Sequence, residues 1–333
     1  MKYVHLILAG LVIFTGCGRK ETQPVAKAPV LTHRADGQIS SRADGQRSSR
    51  GGGQISLGEA RKSFQTHLIR HESDDDPVPE PPPQLFRIVR YEAPAGKLAA
   101  YLTPDPHDGK KYPAIIWIFG GFGNGIGDTA WKDAPAENDQ SARAFREARI
   151  VMMFPSLRGG HESLGAKEVC LGEVEDVLAA AEFLARQDFV DQERIYLGGH
   201  STGGTLVLLA AASSDRFRAV FSFGPVDTVA RYGPDNLPFD TSNQQELLLR
   251  APVRWLQSIQ NPVFVFEGTE NGNLACLQIM SRVSTNPMIH FHAVPGHDHF
   301  NILAPVTQLI AKKILKDNGP TAKLEFTEKE LSR

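Results

Sequence analysis

Short apolar runs that alternate with helical patterns are the feature that most constrains the fold of this chain. A continuous run such as PAIIWIFGG (113–121) has no polar alternation, which is typical of a strand buried on both faces of a sheet. Comparable runs lie at residues 149–155, 194–199, 219–224, 262–268 and 288–294. Helical patterns lie between them, at 136–148, 172–187, 203–213 and 304–315. Strands that alternate with helices form βαβ units, so the pattern predicts a mostly parallel central sheet with helices on both faces.

Two earlier runs predict an antiparallel hairpin at the N-terminal edge of this sheet. LFRIVRY (85–91) and KLAAYLTP (97–104) are joined by the turn sequence APAG. We therefore expect the folded domain to span residues 84–317, with a short cap insertion at 225–260 and a C-terminal tail at 318–333.

The first seventeen residues differ from the rest. Lys2 precedes an apolar run from Tyr3 to Phe14, which is too short to span a bilayer and is typical of a signal peptide. The run ends in Phe14-Thr15-Gly16-Cys17, which resembles the lipobox of bacterial lipoproteins. That resemblance implies export, a lipidated Cys17 and a membrane anchor; a plain signal peptide cut nearby is the alternative.

Residues 18–83 have a low-complexity composition. An eight-residue repeat, RADGQISS, RADGQRSS and RGGGQISL, begins at Arg34, Arg42 and Arg50, and DDDPVPEPPP follows at 74–83. Such polar, Gly-rich and Pro-rich sequence buries too little apolar surface to offset the entropy of ordering. It predicts a disordered tether.

The overall charge argues against a nucleic-acid partner. The formal net charge is −2 and the sequence has no basic stripe. Besides Cys17 there are two cysteines, Cys170 and Cys276, which we interpret as separate thiols.

The motif that carries chemistry is Gly199-His200-Ser201-Thr202-Gly203, a G-x-S-x-G pattern. A short apolar strand leads into it and an apolar helix leads out. This strand–turn–helix setting is the one that a nucleophile elbow requires. It predicts that Ser201 lies on a tight turn with its hydroxyl available for attack.

On these residues the sequence resembles the α/β-hydrolase superfamily, nearest the dienelactone-hydrolase and prolyl-oligopeptidase-like catalytic domains. The resemblance covers about residues 85–317 and includes IIWIFGGFGNG, FPSLRGGHESLG, EVEDVLAAAEFL and the final GHDHF. It implies a catalytic serine, an acid and a histidine in that chain order.

The acid is expected after the strand that contains FVF. There the family often has HG-x-x-D, and the strict match to the aspartate is Asn271. We predict that Glu270, one residue earlier, orients the catalytic histidine. Glu267 at the strand end and Asp227 after the preceding strand are the alternatives.

Four histidines, 290, 292, 297 and 299, fall within ten residues of the C-terminal region. Four imidazoles could hold zinc, but Ser201 needs a general base at this point of the chain, so we expect no metal and no cofactor. The ending His299-Phe300 matches one family form, which implies that His299 is the base, with His297 as the alternative. His290 and His292 are interpreted as strand residues.

The oxyanion hole needs two backbone N–H groups. One is expected from Thr202. The segment FGGFG matches the HGGG pattern of the family, which implies that Gly121 or Phe122 supplies the second.

The resulting hypothesis is an exported serine hydrolase that cleaves a carboxylic ester through an acyl-enzyme. A serine peptidase or amidase acting on short peptides is the first alternative. A non-catalytic, surface-anchored binding protein on a hydrolase scaffold is an alternative of another class.

Overall fold

The computed structural model describes residues 55–332. The predicted signal peptide, Cys17 and residues 18–54 of the predicted tether lie outside the described residues.

Eight strands form one sheet in the order β1-β2-β4-β3-β5-β6-β7-β8. Strand β1 pairs with β2, and β2 with β4, in antiparallel fashion; all other neighbours are parallel. The strands are β1 (Arg87–Ala93), β2 (Gly96–Leu102), β3 (Tyr112–Ile118), β4 (Val151–Pro155), β5 (Val190–His200), β6 (Val220–Phe223), β7 (Val263–Gly268) and β8 (Ile289–Val294). Each lies on a run that the sequence predicted.

Nine α-helices lie in the described part of the chain. They are α1 (Leu57–Arg61), α2 (Ala144–Glu147), α3 (Gly172–Ala185), α4 (Thr202–Ser213), α5 (Gln244–Leu249), α6 (Pro252–Trp255), α7 (Leu274–Val283), α8 (Leu303–Lys316) and α9 (Glu328–Leu331). Helices α3, α4 and α8 match their predicted segments closely. The helix predicted at 136–148 is reduced to α2 and a 3₁₀ turn, because Ala142 has a left-handed φ of 47° that interrupts helical geometry.

The sheet separates two hydrophobic cores. Along β3, Ala114, Ile116 and Ile118 belong to one core, whereas Ile115 and Trp117 belong to the other. Side chains of α3 and α4 fill the first core, and those of α2 and α8 fill the second. Because successive strand residues point to opposite faces, each continuous apolar run serves both cores. The predicted α/β-hydrolase fold class, with its N-terminal hairpin, is confirmed.

Residues 55–83, which we name the N-terminal strap, correct the tether prediction. Leu57 is fully buried, and Leu68 forms a β-bridge with Phe239. The backbone N–H of Lys167 donates to the Glu72 carbonyl at 2.9 Å. Sparse apolar residues and backbone hydrogen bonds to loops of the domain therefore hold this segment in place, despite its polar composition.

The C-terminal tail is likewise packed on the domain. Phe326 is buried, and its ring lies 4.8 Å from Phe264 and 5.2 Å from Phe266. Lys313 of α8 donates to Glu330 at 2.8 Å. The predicted boundary at residue 317 therefore falls inside a continuous core.

The insertion at 225–260 contains α5 and α6. Its Arg250 is fully buried, is paired with Glu246 and lies 4.0 Å above the ring of Phe239. Arg231 pairs with Asp227 at 2.6 Å. Arg250 thus contributes to packing rather than to an open binding surface.

Among residues 55–332, no helix has the length and apolar character needed to cross a membrane.

Candidate active site

The order of the strands creates a crevice at the carboxyl ends of β3 and β5. These two strands are neighbours, but the chain leaves β3 toward β4 on one side and leaves β5 toward β6 on the other. In open α/β sheets, ligands bind at such a switch point. The loop after β3, residues 119–125, and the turn at Ser201 after β5 both open into this crevice.

Ser201 lies on a strained turn between β5 and α4. Its backbone has φ 56° and ψ −113°, a conformation that a non-glycine residue rarely adopts and that costs of the order of 1–3 kcal/mol. The Ser201 N–H donates to the Phe223 carbonyl at 2.7 Å, and the Ser201 carbonyl accepts from the Thr205 N–H at 2.9 Å. The neighbouring strand and the first helical turn therefore hold this serine in place.

Close backbone approach explains the glycine two residues after the serine. A Cβ on Gly203 would lie 2.4 Å from the carbonyl oxygen of Ile118 and 2.6 Å from that of Phe119. Only glycine allows α4 to begin this close to the end of β3.

His299 is paired with Glu267, not with Glu270. The imidazole Nδ1 lies 3.0 Å from Glu267 Oε2, and the glutamate side chain is fully buried. Glu270 is exposed, and its backbone N–H donates to the His297 carbonyl at 2.9 Å. The prediction that Glu270 is the acid is therefore corrected to Glu267. Glu267 is the next-to-last residue of β7 and reaches His299 from the strand, whereas Glu270 lies on the loop that follows.

Two backbone amides complete the surroundings of the Glu267 carboxylate. The N–H of Gly268 donates to Oε1 and that of Asn273 to Oε2, each at 2.9 Å. These bonds fix the carboxylate and leave Oε2 directed at His299.

Asp227, the other alternative acid, is occupied elsewhere. Burial alone would raise its pKa, but hydrogen bonds from Arg231 and Cys276 lower it below the ordinary range. Its carboxylate is therefore an ionised partner of Arg231 within the insertion.

His200, the residue before the proposed nucleophile, lies beneath His299. Its Nε2 donates to the His299 carbonyl at 2.9 Å, and the two rings are 4.5 Å apart. Its Nδ1 lies 2.8 Å from the amide nitrogen of Gln140. Burial, together with the nearby His299, lowers the pKa of His200 to about 3, so this ring stays neutral. The sequence analysis assigned no role to His200 or Gln140, although His200 is the second residue of the G-x-S-x-G motif.

The other histidines of the cluster lie apart from this pair. His290 stacks on Phe264 at 5.0 Å and His292 on Phe266 at 5.2 Å, as strand residues of one face do. His297 Nδ1 lies 3.1 Å from the Asn301 side-chain oxygen. Within the described range, no group of three or more His, Cys, Asp or Glu side chains is arranged to hold a metal ion.

The predicted oxyanion-hole residues are adjacent. The Thr202 hydroxyl donates to the Gly121 carbonyl, which joins the start of α4 to the loop after β3. The amides of Gly121, Phe122 and Thr202 make no hydrogen bond to any part of the chain that the structure describes. The assignment of the second donor to Gly121 or Phe122 stays a prediction.

Sequence comparison gives a match over the part of the chain that contains Ser201, Glu267 and His299. Residues 139–300 match the model of the prolyl oligopeptidase family. Dipeptidyl peptidase 8 from Mus musculus is 29% identical over 161 residues, which are 45% of this chain and only 18% of that protein.

Structural comparison agrees on the fold. The acylaminoacyl peptidase of Pyrococcus horikoshii superposes with a TM-score of 0.56 at 15% identity, over 74% of this chain and 44% of that one. A hyperthermophilic esterase from Pyrobaculum calidifontis superposes with a TM-score of 0.50 at 16% identity, over 72% of this chain and 87% of that one.

Ser201 lies on a strained strand–helix turn at the switch point, His299 packs against the preceding residue His200, and the buried Glu267 carboxylate is paired with His299. The chain shares the α/β-hydrolase fold of these structures, and part of it matches the prolyl oligopeptidase family, so this cluster is a candidate serine-hydrolase active site.

Proposed function

We propose that this protein is an exported serine peptidase that cleaves amide bonds in short peptides. The observation that carries the proposal is the buried Glu267–His299 pair beside the strained turn of Ser201. The match of residues 139–300 to the prolyl oligopeptidase family supports a peptide rather than an ester substrate. Export and a lipid anchor at Cys17 are proposed from residues 1–17 of the sequence alone.

The proposed mechanism begins with proton transfer from Ser201 to His299. Nδ1 of His299 donates its hydrogen to Glu267, so Nε2 carries the free lone pair that accepts the serine proton. The Ser201 oxygen attacks the substrate carbonyl, and the protonated His299 then returns its proton to the leaving amine. Water, activated by the same histidine, hydrolyses the acyl-enzyme and releases the acid.

The negative charge that develops on the carbonyl oxygen needs donors held in advance. Thr202 is the first residue of α4, so its amide N–H points outward at the helix N-terminus and has no intrahelical partner. The Gly121 or Phe122 amide is proposed to meet the same oxygen from the loop after β3.

An aromatic pair flanks this position and favours an apolar substrate side chain. The rings of Phe122 and Tyr232 pack edge to face at 5.3 Å. The Tyr232 hydroxyl lies 2.7 Å from Thr205 Oγ1, one turn into α4. Because both rings adjoin the turn of Ser201, we expect a peptide with an apolar residue on the acyl side to be preferred.

Ester cleavage remains the second candidate because the same acyl-enzyme chemistry hydrolyses both bond types and the fold does not determine the substrate. Peptides and esters are separated by their kcat/KM on matched peptidyl p-nitroanilides and p-nitrophenyl esters with the same acyl group.

A fluorophosphonate probe tests the proposal before any substrate is known. We expect covalent labelling of the wild-type protein and none of Ser201→Ala, with Ser222→Ala, a buried serine on β6, as a labelled control. Equal labelling of wild type and Ser201→Ala would contradict the assignment of the nucleophile. If labelling depends on Ser201 but only the esters are cleaved, the peptidase proposal fails while the hydrolase assignment stands.

A further inference from the structure

The loop that contains Gly121 and Phe122 is held by a side chain that the sequence analysis did not select. Lys167 Nζ donates to the Phe122 carbonyl at 3.1 Å, and its side chain is mostly buried. The preceding carbonyl, that of Gly121, accepts from the Thr202 hydroxyl. Two successive peptide groups of the loop are therefore fixed, one from α4 and one from Lys167.

Close packing alone does not fix this loop. A small pocket of about 40 Å³ lies between the loop and the side chains of Lys167, Val169 and Leu206. A space of that size can hold a water molecule, so the loop lacks continuous apolar support on this side. Hydrogen bonds from charged groups are shorter and stronger than those between neutral groups, so they can hold such a loop.

Lys167 is itself held by the N-terminal strap. Its ammonium group pairs with the Glu72 carboxylate, and its backbone N–H donates to the Glu72 carbonyl at 2.9 Å. Burial tends to raise the pKa of Glu72, but the hydrogen bond and charge of Lys167 lower it below the ordinary range. Glu72 is thus an ionised partner in the pH range where a serine hydrolase works.

A second set of contacts connects the strap with the same loop. The Asp74 N–H donates to the Gly159 carbonyl at 2.8 Å. The next residue, Gly160, lies so close to Asn124 that a Cβ there would be 2.2 Å from the Asn124 carbonyl carbon. The strap, the loop at 159–167 and the loop at 119–125 therefore form one layered unit.

We propose that Glu72 and Lys167 are positioning residues for the oxyanion hole, which makes the N-terminal strap part of the catalytic apparatus. The proposal rests on the serine-hydrolase mechanism above. Glu72 places the Lys167 ammonium, and Lys167 fixes the peptide group between Phe122 and Gly123. The loop is thereby anchored on the far side of the Gly121 and Phe122 amides, which holds them in position for the reacting oxygen. Neither side chain touches the substrate.

The test measures the second-order rate constant for labelling of Ser201 by a fluorophosphonate, whose P=O oxygen occupies the same hole as a substrate oxyanion. Lys167→Met keeps the apolar stem and removes the ammonium group. We expect its labelling rate to fall about tenfold to a hundredfold, the range that misplacement of one oxyanion donor produces. With a turnover substrate, kcat is expected to fall while KM changes little.

Four further variants keep the test decisive. Lys167→Arg is expected to restore most of the rate, and Glu72→Gln to lower it less than Lys167→Met. Glu72→Gln in the Lys167→Met background should add nothing further, because both act through one contact. Lys62→Met, which removes the exposed strap ion pair with Glu59, is the matched control and should label at the wild-type rate.

The two proposals can fail separately. No labelling of wild-type Ser201 would refute the proposed function itself. If wild type is labelled and Lys167→Met, with an unchanged thermal midpoint, is labelled within twofold of it, only the positioning role is refuted. Should Lys167→Met not fold, the Glu72→Gln rate decides: a rate equal to wild type would overturn the proposal.

Discussion

The two sides of the active site are built differently. On the acid–base side, Glu267 lies at the end of β7 and His299 on the loop that follows its parallel neighbour β8, and their contact is shielded from solvent. On the oxyanion side, the loop at 119–125 borders a small pocket and depends on polar contacts from α4, Lys167 and the strap. The geometry of the first side follows from the pairing of strands in the sheet, whereas the second side is assembled from segments that are remote in sequence.

This difference predicts which substitutions should nearly abolish activity and which should only reduce it. A change on the acid–base side removes a group that the reaction uses directly. A change on the oxyanion side shifts a donor by a fraction of an ångström and leaves the rest of the site intact. If variants on the acid–base side lower kcat only slightly, this distinction between the two sides is wrong.

The largest effect is expected from His299, the proposed general base. We expect His299→Ala to lower kcat by about 10⁴-fold or more, because the proposed mechanism then lacks the group that accepts the Ser201 proton. His297→Ala should keep most of the activity, since His297 contacts Asn301 rather than Glu267. Steady-state kinetics on the best substrate of the panel provides the measurement, and the reverse ranking of the two variants would overturn the assignment.

A smaller but still large effect is expected from the acid. Glu267→Gln preserves the shape of the side chain but lets the amide favour the wrong tautomer of His299, so kcat should fall about 10²-fold to 10⁴-fold. Glu270→Gln is the matched control, because Glu270 is exposed, and it should remain within about twofold of wild type. A larger loss in Glu270→Gln than in Glu267→Gln would show that the loop rearranges in the working enzyme.

The shielding of the acid–base side should also appear in the pH dependence of stability. The pKa of His200 is lowered to about 3 from an ordinary value of 6.5, chiefly by burial. Between these pH values the unfolded chain binds one more proton at this site, so the free energy of unfolding falls as pH is lowered, by about 1.4 kcal/mol per pH unit. We expect His200→Asn to reduce this slope by the equivalent of about one bound proton. Urea unfolding between pH 4.5 and 7 measures the free energy of unfolding for both proteins.

The matched substitution at an exposed position is His107→Asn, which controls for the His-to-Asn change itself. The half-buried His292, with a pKa lowered to about 4 by burial and by His290, contributes a slope of the same sign that persists in both variants. Parallel stability curves for wild type and His200→Asn would mean that His200 titrates normally in the folded state.

Much of the acid–base side was predictable from sequence because its signals are local. A strand, a G-x-S-x-G motif and a helix are contiguous in the chain, and the apolar runs gave all eight strands. The acid was misassigned because motif alignment counts positions along a loop. Which carboxylate reaches His299 depends instead on the orientation of Glu267 at the end of β7, and no residue spacing encodes that orientation.

The oxyanion side shows what sequence patterns miss. Polar composition made residues 55–83 look like a tether, yet a few apolar side chains and backbone hydrogen bonds are enough to dock the segment. Lys167 carries no motif at all. Its proposed role follows only from its contacts in the folded chain with Glu72 and Phe122, which lie 95 and 45 residues earlier in the sequence.

The order in which the strands contribute to the site has a consequence for biosynthesis. Glu72, Phe122, Ser201, Glu267 and His299 reach the site from successive parts of the chain. A nascent chain therefore has no base for its serine until residue 299 has been synthesised and β8 has joined the sheet. Reactivity toward a fluorophosphonate would then report completed folding as well as catalysis.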